Sequence, residues 1–311
     1  TVACRGSDRV RFLNGMLSND VGRLSTGRGH FAVKANHKGH MEGLIRVRCG
    51  ADAVLLDIEG TAAEVVAGAL VTHLVADDCE LVDMSEGRQV LQLVGLGSTD
   101  VVGAVADGAR SLDDAAFLEV DGLTIIRDMR LGIDGFELHV PDALAASVID
   151  KLEAASAQPA SDDAFEAVRI EAGVPAEGIE LDSTVIPMEA GLHFAIDYKK
   201  GCYIGQETIA RATNLGGVKH RMVGLSFTGD AMPAVDLRLF DVETGKDVGE
   251  ITSVAWSARA AGVVGLGYAR ITHAEPGTEL RIGDGEERVE VSALPFVPPR
   301  RASTAFPVHA R

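Results

Sequence analysis

Cysteine is scarce in this 311-residue chain, with four residues at positions 4, 49, 79 and 202. None lies within a few residues of another. The spacing therefore excludes a Cys-x-x-Cys redox pair, a zinc ribbon, or a four-cysteine cluster built by one chain. Unpaired thiols fit a reducing cytoplasm. Long apolar runs are also missing, and nothing approaches the ~20 residues of a membrane span. No basic-then-apolar leader is visible, although the first residue is Thr1 rather than Met, which leaves a removed leader open. Positive charge is short as well, with 29 Lys and Arg against 46 Asp and Glu, a net charge of −17. Such a surface repels phosphate backbones and argues against direct nucleic-acid binding. There is no Gly-x-Ser-x-Gly elbow and no phosphate loop. Gly95-Leu96-Gly97 follows a strand, but the rest of a dinucleotide fingerprint is absent.

What is present reads as alternating strands and helices, an α+β chain long enough for two or three domains. Residues 7–20 are predicted as a helix capped by Ser7. His30–Val33, Gly43–Arg48 and Ala53–Ile58 are predicted as strands. Thr61 opens a helix through Ala76, with Glu64 at the capping-box spacing. Strands at Glu80–Asp83 and Val90–Val94, a helix from Thr99 to Ala106, and a strand pair at Leu123–Arg130 and Phe136–Val140 follow. A helix after Pro141, a linker from Ser156 to Ser161 and a helix from Ala164 to Glu171 complete this part. After Arg221 the helical period disappears. Six short strands between Met222 and Ala293, separated by turns such as Glu275-Pro276-Gly277, read as a small β-barrel. A Pro-rich tail, Pro295–Arg311, reads as extended and partly disordered.

One octapeptide stands out: Lys200-Gly201-Cys202-Tyr203-Ile204-Gly205-Gln206-Glu207. Here a cysteine lies between glycines, behind Lys199 and Lys200, and just ahead of a helix start. Positive charge and helix N-terminal N–H groups favour a thiolate. The bland alternative is an inert cysteine in a tight turn. From Asp197 to Arg221 there are five basic residues, Arg211 among them, and two acidic ones, a local +3 that could attract an anionic ligand. His37 and His40, with Lys38-Gly39 between them, read as an exposed turn rather than a metal site.

The octapeptide resembles the signature of the YgfZ-type folate-binding proteins, relatives of the glycine-cleavage T protein, an aminomethyltransferase. Other segments carry the same resemblance: Arg169-Ile170-Glu171-Ala172-Gly173, Pro187-Met188-Glu189-Ala190-Gly191-Leu192, Ser7–Leu13 and Asn19-Asp20-Val21, Gly249–Ser253, and Ala293–Phe296. The resemblance implies a three-domain ring of the aminomethyltransferase folate-binding fold with a C-terminal β-barrel. The expected division is 1–47 plus 141–221 as a discontinuous folate-binding domain, 48–140 as an inserted α+β domain, 222–296 as the barrel and 297–311 as a tail.

The implied cofactor is tetrahydrofolate or a one-carbon derivative. A carboxylate can accept from the pterin's ring N–H and amino group. Glu171 and Glu189 are the candidates, and the choice between them stays open. Arg169 would hold a neighbouring carboxylate or pair on a helix surface. Tyr203 would stack on an aromatic ligand or pack in the core. The implied function is a binding protein, not an enzyme in its own right, that supports assembly or repair of iron–sulfur enzymes, tRNA-modifying ones included. Cys202 would be the working thiol, Lys200 would tune it, and Gln206 and Glu207 would shape its loop. The expected partners are iron–sulfur enzymes or assembly proteins. The alternative is a folate-dependent aminomethyltransferase. The T protein places adjacent aspartates before a strand beginning Leu-Ile; here Glu42 and Gly43 take that place, so Glu42 would have to serve.

Overall fold

The computed structural model describes residues 1–214 and 217–300. The chain opens with a five-stranded antiparallel sheet in the order β2-β3-β4-β1-β5. Its strands are β1 (Val2–Arg5), β2 (Gly29–Ala35), β3 (Met41–Cys49), β4 (Val54–Ile58) and β5 (Glu80–Asp83). Side chains alternate between the two faces of a strand, and the sequence uses both. Ala32, Ile45, Val47 and Leu56 pack with Phe12, Leu13 and Leu17 at α1 (Arg9–Met16) and with Val66 and Leu70 of α2 (Ala62–His73). Phe31, Val33 and Leu44 belong to a second core with segments from Ala172 to Tyr268. Arg46 and Arg48 share Leu44's alternation and carry charge onto that second side. Helix α2 approaches closely at Gly43, where a Cβ would lie 2.8 Å from Val66 Cγ2.

The first helix is shorter than its predicted 7–20 span. Ser7 does not cap it; the hydroxyl donates to Asp78 Oδ2 at 2.7 Å, and Asp8 is the cap residue. Thr61 likewise makes no capping bond. Two four-residue strands, β1 and β7 (Phe117–Val120), lie outside the predicted set.

The second sheet has the order β6-β9-β8-β7, with β6 (Arg88–Val94), β8 (Leu123–Arg127) and β9 (Gly135–Pro141). Phe136, Leu138 and Val140 of β9 face the core under α3 (Ser98–Val102) and α4 (Asp142–Ala154). The intervening Glu137 and His139 are also buried, and they turn to the opposite side. Six strands from His220 to Ser292 close into a barrel, as the strand pattern predicted.

Helix α5 (Asp162–Ala172) packs on the barrel strands Asp247–Ser257 and Gly262–Arg270. Buried polar bonds hold this seam. Arg169 donates to Glu180 at 3.0 Å and to Ser253 Oγ at 2.8 Å, and Tyr268 donates to the Glu180 carbonyl at 2.8 Å. Residues 301–311 of the predicted tail lie outside the described residues. No helix among the described residues is long and apolar enough to cross a membrane.

Candidate functional site

A cavity of about 380 Å³ lies between the two sheets and the loop that follows α5. Phe31, Leu44 and Arg46 come from the first sheet, and Asp57–Gly60 from the end of β4. Val90, Gln92, Glu137 and His139 come from the second, and Asp128 and Arg130 from the loop between its strands β8 and β9. Phe165 and Arg169 of α5, and Val174–Glu177 of the loop, complete much of the wall.

The wall between the sheets is ionic. Arg46 reaches Asp128 at 2.6 Å and Glu137 at 2.8 Å. Arg130 reaches Asp128 at 2.9 Å and Glu59 at 3.1 Å. His139 lies 2.7 Å from Glu137, and Gln92 donates to the same carboxylate at 2.8 Å. Both guanidinium groups lie over the Phe31 ring, 5.3 and 5.7 Å from its centroid, within the range of a cation–π contact. Burial works against ionising Glu137, yet Arg46, His139 and Arg130 together hold it well below the usual carboxylate range. Asp128 is also lowered, its burial outweighed by Arg130 and Arg46. Charges buried this way persist because each has partners.

Glu177 differs. Burial, with Glu59 adding like charge, pushes its carboxyl up to about 7, against one backbone N–H that favours the anion. That N–H is Leu44's, donating to Oε1 at 2.5 Å. The wall thus contains three arginines, at 46, 130 and 169, and five carboxylates, at 57, 59, 128, 137 and 177. Such a lining favours a ligand rich in N–H donors over an anion.

Asp57, Glu137 and His139 have ligand atoms within 4.8 Å of one another. All three already have partners, since Arg48 donates to Asp57 at 2.6 and 2.9 Å, Arg46 holds Glu137, and His139 Nε2 lies against Glu137. A metal cation there would face guanidinium groups, so the cluster is an ion-pair network.

Of the ten residues singled out from the sequence, this wall includes Arg169. Glu171 is buried on the barrel side, accepting from Ser257 at 2.5 Å and Arg259 at 3.1 Å. Glu189 accepts from the backbone N–H groups of Ile186 and His220, both at 3.3 Å, as a turn clamp. Glu42 pairs with buried Lys34 at 2.6 Å. Tyr203 is buried in the core. Glu207 and Arg211 form an exposed ion pair on α6 (Gln206–Asn214), and Gln206, partly buried, is the first residue of that helix.

Cys202 is exposed. Lys200 lies beneath it in sequence but serves the backbone. Its Nζ donates to the carbonyls of Asn14 at 2.7 Å, Leu17 at 2.6 Å and Asn19 at 3.0 Å. Burial draws its pKa down to about 8, while Asp20 and Asp197 work the other way. All three ammonium protons are engaged, so Lys200 anchors the loop to the end of α1. Gly205, at φ +85°, completes the turn; a Cβ there would meet the Asn36 carbonyl at 2.5 Å.

The cavity residues missed from sequence left one signal. In β3, Arg46 and Arg48 alternate with Ile45 and Val47; in β9, Glu137 and His139 alternate with Phe136, Leu138 and Val140. Charge at every second position of an otherwise apolar strand marks a strand buried on both faces, one of them ionic.

Residues 1–200 match the family described as the GCVT N-terminal domain, and residues 220–298 match the glycine cleavage T-protein C-terminal barrel domain. The chain belongs to the glycine-cleavage T-protein family. An aminomethyltransferase of Rubrobacter xylanophilus is 30% identical over 302 residues, covering 95% of this chain and 80% of the relative. One from Streptomyces coelicolor is 28% identical over 313 residues, covering 95% and 83%. A putative chloroplastic transferase of Arabidopsis thaliana is 28% identical over 298 residues, covering 94% and 68%. The crystal structure of the glycine cleavage system aminomethyltransferase T from Bartonella henselae superposes with a TM-score of 0.89 at 23% identity, covering 96% of this chain and 84% of that one. The T-protein fold thus holds for nearly the whole chain.

Proposed function

We propose that the cavity between the two sheets binds tetrahydrofolate, and that this T-protein family member acts on or through the bound folate. The observation that carries the reading is the wall itself: an aromatic ring, Phe31, beside five carboxylates, one of them free of any cationic partner among the described residues. A pterin presents a flat ring and an N–H-rich edge, and this donor set fits both. Glu177 would accept from that edge, the guanidinium groups of Arg46 and Arg130, backed by Phe31, would lie against the ring, and the same arginines would keep Asp128 and Glu137 ionised beside it. The folate, when bound, supplies the nitrogen that accepts a one-carbon unit.

The names of the relatives favour aminomethyl transfer as the activity. In that reading the carboxylate near the reacting nitrogen comes from the cavity wall, since Glu42 is committed to Lys34. A second reading rests on a separate observation. Cys202 is solvent-exposed at the head of α6, on a loop anchored by Lys200, as a working thiol in support of iron–sulfur enzymes requires. One experiment separates them. Purified protein is given tetrahydrofolate and an aminomethylated carrier protein, and methylene-tetrahydrofolate is followed. Formation supports transfer. Folate binding without turnover, together with loss of activity of a labile [4Fe–4S] enzyme in cells carrying Cys202→Ala, supports the thiol reading. Absence of folate binding defeats both.

A further inference from the structure

We infer that Glu177 is the specificity-determining and proton-linked contact of the cavity, accepting from the ligand's N–H edge through the carboxylate oxygen that the protein leaves free. This deepens the folate reading and rests on it. The other four carboxylates of the wall are each held by a cation. Asp57 belongs to Arg48, Glu59 to Arg130, Asp128 to Arg46 and Arg130, and Glu137 to Arg46 and His139. The acceptor capacity of Asp57, Asp128 and Glu137 is largely spent inside the wall, while Glu59 is exposed to solvent. Glu177 has one protein partner among the described residues, the Leu44 N–H on Oε1, and its side chain is only partly buried. That bond fixes the carboxylate against β3 and leaves Oε2 for a ligand.

The surroundings set the direction of the proton linkage. Glu59, at the end of β4, faces Glu177 with like charge. Arg46 on β3, Arg169 on α5, Asp128 and Arg130 on the β8–β9 loop, and Glu137 and His139 on β9 line the same cavity but are tied to one another or to Glu166 and Glu180. The free protein therefore holds Glu177 protonated up to about pH 7. A ligand that donates N–H groups needs the anion. Binding below that pH expels the proton, and affinity rises with pH until the carboxyl is already ionised in the free state. Glutamine at this position keeps an oxygen for Leu44, so the loop stays docked. It presents an N–H₂ group to the ligand, however, and cannot titrate.

The test is calorimetric titration with tetrahydrofolate at pH 5.5, 7.0 and 8.5. Two buffers of different ionisation heat count the protons released. The ligand's own ionisations are common to wild type and Glu177→Gln, so the difference isolates the residue. The expected result is wild-type affinity that rises up to roughly tenfold per pH unit below 7 and then levels, with up to one proton released on the acid side. Glu177→Gln is expected to bind at least about tenfold more weakly at pH 8.5, with no such pH dependence. Equal affinity and equal proton release in the two proteins would overturn the assignment and leave the folate reading standing. No binding by wild type at any pH would overturn the folate reading, and this assignment with it.

Discussion

Two regions of this molecule are built on opposite terms. The Cys202 loop is a contiguous octapeptide, exposed at its thiol and fixed from below by Lys200. The cavity wall is assembled from residues between Thr1 and Leu181, and most of its charges are buried and mutually neutralised. A contiguous motif announces itself in sequence because its residues are neighbours there. A cavity announces itself only through the strands that carry it. The contrast also separates stability from chemistry. The wall's charges are held so firmly that altering them disturbs the fold, while the loop's thiol can change with little structural consequence.

The largest effect that would sharpen this comparison is expected for Arg46→Met. It strands Asp128 and Glu137 without their shared guanidinium in a buried site, which costs about 3–5 kcal/mol. Denaturant unfolding reads it, and a loss under about 1 kcal/mol would show that the wall is more hydrated than its burial indicates. Next comes Lys200→Met, which removes three donations to buried or partly buried carbonyls. The expected cost is roughly 1–3 kcal/mol in the same assay, with faster proteolysis at the 199–205 loop.

A smaller effect is expected from pH. Glu177's folded pKa, about 7, lies above the 4.5 of an unperturbed glutamate. The folded state then binds more protons between those values, so this carboxyl's contribution falls as pH rises through that window. Glu177→Gln should flatten that part of the ligand-free stability profile. His30 works in the opposite sense. Burial, with Lys200 adding like charge, depresses it to about 4, so stability is lost as pH falls from 6.5 toward 4. The smallest effect is expected for Cys202→Ala, within about 0.5 kcal/mol of wild type in thermal unfolding. A larger loss would mean that the exposed thiol is a packing residue, and the comparison would break.

The fold was more legible than the site. The six barrel strands could be read from short apolar runs between turn residues, because no α-helical period competes with them in that region. β1 is four residues long and its partners β4 and β5 are distant in sequence, whereas β7, also four residues, pairs with β8 across the local Asp121-Gly122 turn, a signal the strand pattern alone did not bring out. Ser7 and Thr61 had cap chemistry, but Asp78 takes the Ser7 hydroxyl and Thr61 sits in helical geometry. Glu171, Glu189, Tyr203 and Lys200 were conspicuous because they flank glycines in the motif segments. Tertiary contacts bind them to Ser257, His220, the core and α1. Glu177 lies in a loop with no period of its own, and only the docking of that loop on β3 brings its carboxylate to the cavity.

The central claim is that the cavity, not the Cys202 loop, holds the folate. Val90 lines the cavity at an exposed position, so Val90→Trp can fill the mouth without entering a core. Calorimetric titration of tetrahydrofolate into wild type, Val90→Trp and Cys202→Ala tests the claim directly. The account predicts binding by wild type and Cys202→Ala and at least about tenfold weaker binding by Val90→Trp. Undiminished binding by Val90→Trp, with loss in Cys202→Ala, would contradict it.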